Sequence, residues 1–159
     1  MLSDLALQHN YGSGDMTGLL AALVNSTRAG DYFALLGYLP YQPEIENALQ
    51  ETRRRLRHTT RRAVTVGYGP RFQHSTGQLH KGGPNNGTFI QITCDDPQDI
   101  AIPGEVFTFG VLKAAQAAGD MEALRNKDRR AVRLHISGDV AQGLEVLQRA
   151  IDFVESRRR

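Results

Sequence analysis

Residues 32–39 read YFALLGYL, a near-continuous apolar run that follows the turn signal Gly30-Asp31 and ends at Pro40. A run of this kind is typical of a strand covered on both faces, which is the situation in a parallel sheet. Residues 44–58 then place apolar side chains at helical spacing, and residues 63–68, AVTVGY, form a second short β-branched run. Together these pieces predict a strand–helix–strand unit with a right-handed crossover.

The same alternation continues outward from this unit. Further strands are predicted at residues 88–93 and 131–136, and further helices at residues 17–27, 108–118 and from 139 onward, with Thr108, Asp120 and Asp139 as candidate N-caps, the Asp120 cap opening a separate short helix. The pattern predicts an α/β fold, a three-layer sandwich with helices on both faces of a mainly parallel sheet of about four strands. We assign residues 1–159 to a single domain, with residues 1–16 as a flexible lead-in.

Composition excludes several classes of protein. Charged residues make up 23% and apolar residues 40%, the balance of a folded chain rather than a disordered one. The formal net charge of +2 gives no general case for nucleic-acid binding, although Arg is dense at residues 53–55 and 157–159. The single cysteine, Cys94, excludes an intrachain disulfide and a Cys-based zinc cluster. No apolar run reaches the ~18 residues of a membrane span, and no signal peptide is evident. We therefore expect a cytoplasmic protein.

The chain changes character over residues 69–87, here called the polar segment, which is rich in Gly, Pro, Asn, Ser and His and shows no helical or strand period. We expect a long glycine-rich loop that leaves the carboxyl end of a strand, where open α/β sheets bind their ligands. Its donors and acceptors suit a polar, sugar-like ligand. The candidate ligand contacts are Arg71, His74, Ser75, Thr76, Gln78 and Lys81.

Other interpretations of the polar segment stay open. It also fits a surface loop held by its own hydrogen bonds. A metal site built from His74 and His80 needs more ligands than the sequence offers. Phosphate binding by Arg71 or Lys81 is chemically reasonable, although the local spacing is not that of a P-loop.

Two motifs carry a resemblance to a known family. Residues 68–85, YGPRFQHSTGQLHKGGPN, and residues 109–116, FGVLKAAQ, resemble the C-terminal region of bifunctional transaldolase/phosphoglucose isomerase proteins. The likeness runs from about Gly30 to Ile136. TGQLH at residues 76–80 resembles the Asn-Gly-Gln-His signature of phosphoglucose isomerases, with Leu79 inserted, and FGVLK resembles their Trp-Gly-Val motif, which precedes a catalytic lysine.

The resemblance implies the second sugar-isomerase-like (SIS-like) domain of a glucose-6-phosphate isomerase. It assigns ring opening of the sugar to His80 and Lys113, with His74 as an alternative histidine, because a histidine and a lysine can share that proton transfer. A lysine inside an apolar helix, as Lys113 is, is also explained by a side chain that reaches solvent from one helix edge. No metal or organic cofactor is implied.

The glutamate base of that family lies upstream of the matching region, so we expect the chain alone to have little or no isomerase activity. The expected partners are a sugar phosphate and either the remaining isomerase/transaldolase polypeptide or a second copy, since such sites are generally built across a dimer. A non-catalytic sugar-phosphate-binding or assembly module is the alternative. Nucleic-acid binding through the Arg clusters is a third class, which we disfavour, and no membrane partner is expected.

Overall fold

Four parallel strands form the centre of the computed structural model, which describes residues 16–158. The strands are β1 (Tyr32–Tyr38), β2 (Ala63–Tyr68), β3 (Gly87–Cys94) and β4 (Arg130–Ile136), in the order β2-β1-β3-β4. Tyr32 is in register with Ala63 on one side and with Gly87 on the other, so the amino ends of the strands lie together. The carboxyl ends consequently share the opposite edge, the carboxyl edge.

Five helices cover the two faces of this sheet. They are α1 (Met16–Asn25), α2 (Pro43–Thr60), α3 (Ser75–Gly82), α4 (Phe109–Arg125) and α5 (Val140–Ser156), with a short 3-10 turn at Arg71–Gln73. The apolar sides of α1, α2 and α5 pack on one face of the sheet, whereas Phe72 and α4 pack on the other. The predicted three-layer α/β sandwich is thereby confirmed.

Strand β1 explains why the sequence forms this architecture. Its side chains alternate between the layers: Phe33 and Leu35 enter the core under α2 and α5, while Leu36 and Tyr38 enter the core under α4. All four are at most 3% exposed. Burial on both faces accounts for the near-continuous apolar run from which the sheet was predicted.

The connection that follows β1 marks the point at which the strand order of the sheet reverses. The chain passes from β1 through α2 to β2 at one side, then returns through α3 to β3 on the other side of β1. Loops that follow β1 and β3 therefore diverge at the carboxyl edge, and open α/β sheets bind ligands in the crevice that such a divergence creates.

Two details differ from the sequence-based expectation. The polar segment is not a continuous loop, since the 3-10 turn and α3 occupy residues 71–73 and 75–82. Burial of Phe72, Gly77 and His80 holds this short helix against the sheet. Because tertiary packing stabilises a helix of only eight residues, its sequence shows little of the apolar periodicity by which helices are predicted.

Asp120 does not cap a separate helix. Helix α4 runs without a break to Arg125, and the Asp120 side chain is buried within it. The expected caps Thr108 and Asp139 are confirmed, because each side chain accepts a hydrogen bond from a backbone N–H of the first turn. Among the described residues no helix is long and apolar enough to cross a membrane. The predicted lead-in lies almost wholly outside the described residues.

Candidate functional site

His80 lies near the amino ends of β1 and β3, on the buried side of α3. A hydrogen bond of 2.8 Å joins its Nδ1 to the hydroxyl of Tyr32, and its ring packs against Phe89 with centroids 5.1 Å apart. His80 is 4% exposed. Burial, and then the charge of Lys81, lower its pKa, so the neutral imidazole is favoured. These contacts are those of a core histidine.

Lys113 lies at the opposite edge of the sheet. Its Nζ forms an ion pair with Asp96, which follows the carboxyl end of β3. His80 contacts the start of the same strand at Phe89, so roughly 20 Å of strand separates the two sites at ~3.3 Å per residue. A single hexose cannot contact both side chains. The structure therefore does not bring His80 and Lys113 together.

The other side chains predicted from the polar segment fall into two groups. Five are exposed near the carboxyl end of β2, around the 3-10 turn and α3: Arg71, His74, Ser75, Thr76 and Gln78. The sixth, Lys81, forms an ion pair with Asp120 and donates a hydrogen bond of 3.3 Å to the carbonyl of Phe72. Lys81 is thereby engaged within the protein, and Arg71 is the exposed cation of the segment.

Asp120 completes a buried polar cluster, the Lys81–Asp120–Tyr38 cluster. Its carboxylate also accepts a hydrogen bond of 2.5 Å from the hydroxyl of Tyr38, the last residue of β1. Burial, and then this carboxylate, raise the pKa of Tyr38 far above its usual value, so the phenol remains a donor. Because Lys81 also holds the Phe72 carbonyl, the cluster fixes the turn that precedes His74.

A second histidine, which was not predicted from the sequence, lies at the carboxyl edge. His135, on β4, has its Nδ1 2.9 Å from the hydroxyl of Thr93 and its Nε2 3.1 Å from a carboxylate oxygen of Asp95. Both ring nitrogens of His135 are thus engaged, one by a hydroxyl and the other by a carboxylate. The available signal was the Asp95-Asp96 pair directly after a strand, but register alone pairs Thr93 with His135.

Two pockets open along the carboxyl edge. The larger, about 490 Å³, lies in the crevice between the loops that follow β1, β3 and β4, and its ionisable lining is acidic: Glu44, Asp95 and Asp139. The smaller, about 300 Å³ and here called the β2 pocket, lies between α2, the end of β2 and the 3-10 turn. Arg71 and Thr76 line the β2 pocket, so two predicted ligand contacts share one cavity. The larger pocket suits an anion poorly because its carboxylates repel negative charge.

No cluster of three or more His, Cys, Asp or Glu side chains able to hold a metal occurs within residues 16–158. His74 and His80, the pair considered as metal ligands, differ in environment, since the first is exposed and the second is buried against Tyr32.

Comparison with known proteins supports the class of fold. No family model matches the chain, and no curated protein matches it. Nine solved chains are similar in structure. One is the crystal structure of a hypothetical protein from Thermus thermophilus, which superposes with a TM-score of 0.72 at 15% sequence identity over 88% of this chain. The match spans 38% of that protein's length. At this identity the likeness is one of fold.

Proposed function

We propose that the chain is the C-terminal, SIS-like portion of a glucose-6-phosphate isomerase, supplying acid/base groups that open the sugar ring. The observation that carries this proposal is one of position. The two motifs that resemble the family, the polar segment and the start of α4, both project from the carboxyl edge of one parallel sheet, where α/β proteins bind ligands.

Within this proposal His74 replaces His80 as the ring-opening histidine. His74 is exposed and directly precedes α3 at the carboxyl edge, on the sheet face that Phe72 and α4 also cover. His80 is buried near the amino edge, and its hydrogen bond to Tyr32 occupies one ring nitrogen. A catalytic acid or base has to reach the substrate within hydrogen-bonding distance, so an exposed histidine such as His74 suits this role better than the buried His80.

The partner in this proposal is the remaining isomerase polypeptide, which brings the glutamate base. The loop before α4 and the first turn of that helix carry large exposed apolar side chains beside Lys113: Ile100, Val106, Phe109 and Val111. Exposed apolar groups in one region favour contact with another polypeptide. A non-catalytic module that binds a sugar phosphate is the second candidate, favoured by the β2 pocket, which gathers Arg71 and Thr76 away from Lys113.

Activity measured with the remaining polypeptide tests the proposal. Mixing it with this chain should restore conversion of fructose 6-phosphate to glucose 6-phosphate in a coupled assay. His74→Ala should then reduce kcat by at least about a hundredfold, the usual contribution of a positioned acid or base. His80→Gln should leave kcat within a few-fold of the parent.

Three results contradict the proposal or parts of it. Ligand binding without turnover in the reconstituted mixture would favour the non-catalytic module. Full activity of His74→Ala would remove His74 from ring opening. Loss of activity in a well-folded His80→Gln variant would return that role to His80.

A further inference from the structure

The β2 pocket has an aromatic wall. Tyr41, in the loop after β1, is 75% exposed, and its ring packs edge-to-face on Tyr68 with centroids 5.2 Å apart. A tyrosine this exposed keeps ring surface available to pack against the C–H face of a sugar ring. Binding pockets commonly combine aromatic side chains with a few converging polar groups, and the β2 pocket does so.

The polar side of the pocket combines donors and acceptors. Gln50 donates a hydrogen bond of 2.8 Å to Glu46, which leaves the amide oxygen of Gln50 to accept a bond from a ligand. The Tyr68 hydroxyl is buried beside the Glu46 carboxylate. Burial, and then the neighbouring Glu46 carboxylate, raise the pKa of Tyr68 well above its usual value, so this hydroxyl stays protonated.

The β2 pocket is lined by one acidic and one basic side chain. Glu46 is the acidic group of the lining and Arg71 the basic one, so the formal charge is balanced. Arg71 is exposed and has no ion pair with any other described residue. A guanidinium so placed can bind a phosphate through two parallel hydrogen bonds.

We propose that the β2 pocket binds one hexose-sized sugar ring, with the ring hydroxyls on Glu46, Gln50 and Tyr68 and a sugar phosphate's phosphate on Arg71. The volume of about 300 Å³ is at the lower end for ligand sites, which fits a single ring. The identity of the ligand rests on the proposed function. The location of the site does not rest on the proposed function, because the pocket lies at the outer edge of the sheet, apart from Lys113.

Amide NMR titration of the 159-residue chain tests this assignment with three probes: glucose 6-phosphate, glucose and inorganic phosphate. We expect glucose 6-phosphate to shift the resonances of residues 41, 50, 68, 71 and 76 saturably. Glucose should shift the same set more weakly. Inorganic phosphate should act near Arg71 alone.

Two substitutions separate ring recognition from phosphate recognition. Arg71→Gln should weaken glucose 6-phosphate binding at least about tenfold and leave glucose binding unchanged, because a hydrogen bond to a charged group is lost. Tyr41→Ala should weaken both sugars in equal proportion. The control is Arg57→Gln, which removes an exposed cation from the same helix as Gln50 but does not line the pocket.

The outcomes distinguish this inference from the proposed function. Shifts confined to the surroundings of Lys113 and His135, or equal affinity for inorganic phosphate and glucose 6-phosphate, would overturn the sugar site in the β2 pocket. The opposite result is also informative. If Lys113→Met leaves sugar binding unchanged and the reconstituted mixture has no isomerase activity, the sugar site in the β2 pocket is supported and the proposed isomerase function is refuted.

Discussion

His80 and His74 show how two histidines in one short segment acquire opposite properties. His74 immediately precedes α3 and is exposed. His80 lies in the last turn of that helix, where its ring stacks on Tyr32 and packs edge-to-face against Phe89. Burial removes water from the charged imidazolium, and the pKa of His80 is therefore lowered. The histidine that a ligand can reach is thus His74, the one that the core does not cover.

The lowered pKa of His80 predicts a pH dependence of stability. Its folded pKa lies below the unfolded value near 6.5, so the unfolded chain binds the proton more readily. The free energy of unfolding should therefore be highest above about pH 6.5 and decrease as the pH falls below it. Urea unfolding at pH values chosen to bracket that pKa, from about 7.5 to about 5, would measure this decrease.

His80→Gln should be less stable than the parent above that pKa but show a flatter profile over this range. His74→Gln, which changes an exposed histidine, is the matched control. An unchanged slope in His80→Gln would show that another group carries the pH dependence.

Among the secondary elements, α3 depends on a close backbone approach. A Cβ built on Gly77 would lie 1.6 Å from the carbonyl oxygen of Phe72, so only glycine lets the first turns of α3 pack against the 3-10 turn. This contact, with the bond from Lys81 to the same carbonyl, fixes the backbone that presents His74. The open surface of α4 at Gly119 provides the contrast, since no neighbouring atom lies within 4 Å of a Cβ there.

Matched glycine substitutions test this packing. Gly77→Ala should lower the free energy of unfolding by about 1–3 kcal/mol, the usual cost of forcing an atom into a filled site. Gly119→Ala should raise it by roughly 0.5–1 kcal/mol, because alanine is the better helix former and meets no obstacle. Chemical unfolding of both variants gives the comparison. A Gly77→Ala variant as stable as the parent, or more so, would contradict the close approach.

At the scale of the whole molecule, the Lys81–Asp120–Tyr38 cluster joins three elements around one carboxylate. Tyr38 ends β1, Lys81 belongs to α3, and Asp120 belongs to α4. The Asp120 side chain is 3% exposed and that of Lys81 20%. A carboxylate so deeply buried is tolerated only with partners, and removal of one member leaves the others with unmet charge or hydrogen bonds.

Asp120→Ala should therefore destabilise the protein by roughly 3 kcal/mol, the lower end for a broken buried pair, since Lys81 retains some contact with water. Thermal or urea unfolding measures the loss, and a double-mutant cycle with Lys81→Met gives the coupling between the two side chains.

The exposed pair Arg149–Glu145 supplies the control. Its side chains are 68% and 64% exposed, so Glu145→Ala should change stability by less than about 0.5 kcal/mol. A loss for Asp120→Ala as small as that would show that the cluster contributes little.

The sequence predicted the sheet well because its signals are local. The apolar run of β1 and the β-branched run of β2 gave strands at nearly their observed bounds, and Thr108 and Asp139 marked helix starts correctly. The helix inside the polar segment was missed because packing of Phe72 and Gly77, rather than periodicity, stabilises it. Asp120 was misread because a residue type that caps helices also pairs with buried cations.

The sequence by itself determined the class of fold and the polar segment as the place to look for a ligand. Only the tertiary structure decided which residues of that segment reach the same place. A helix that leaves the carboxyl edge of a parallel sheet runs back toward the amino edge. Helix α3 therefore places His80 near the amino edge, far from Lys113, while His74, which precedes the helix, lies at the carboxyl edge. Strand register, which brings Thr93 beside His135, is a relation between distant residues that no local pattern encodes.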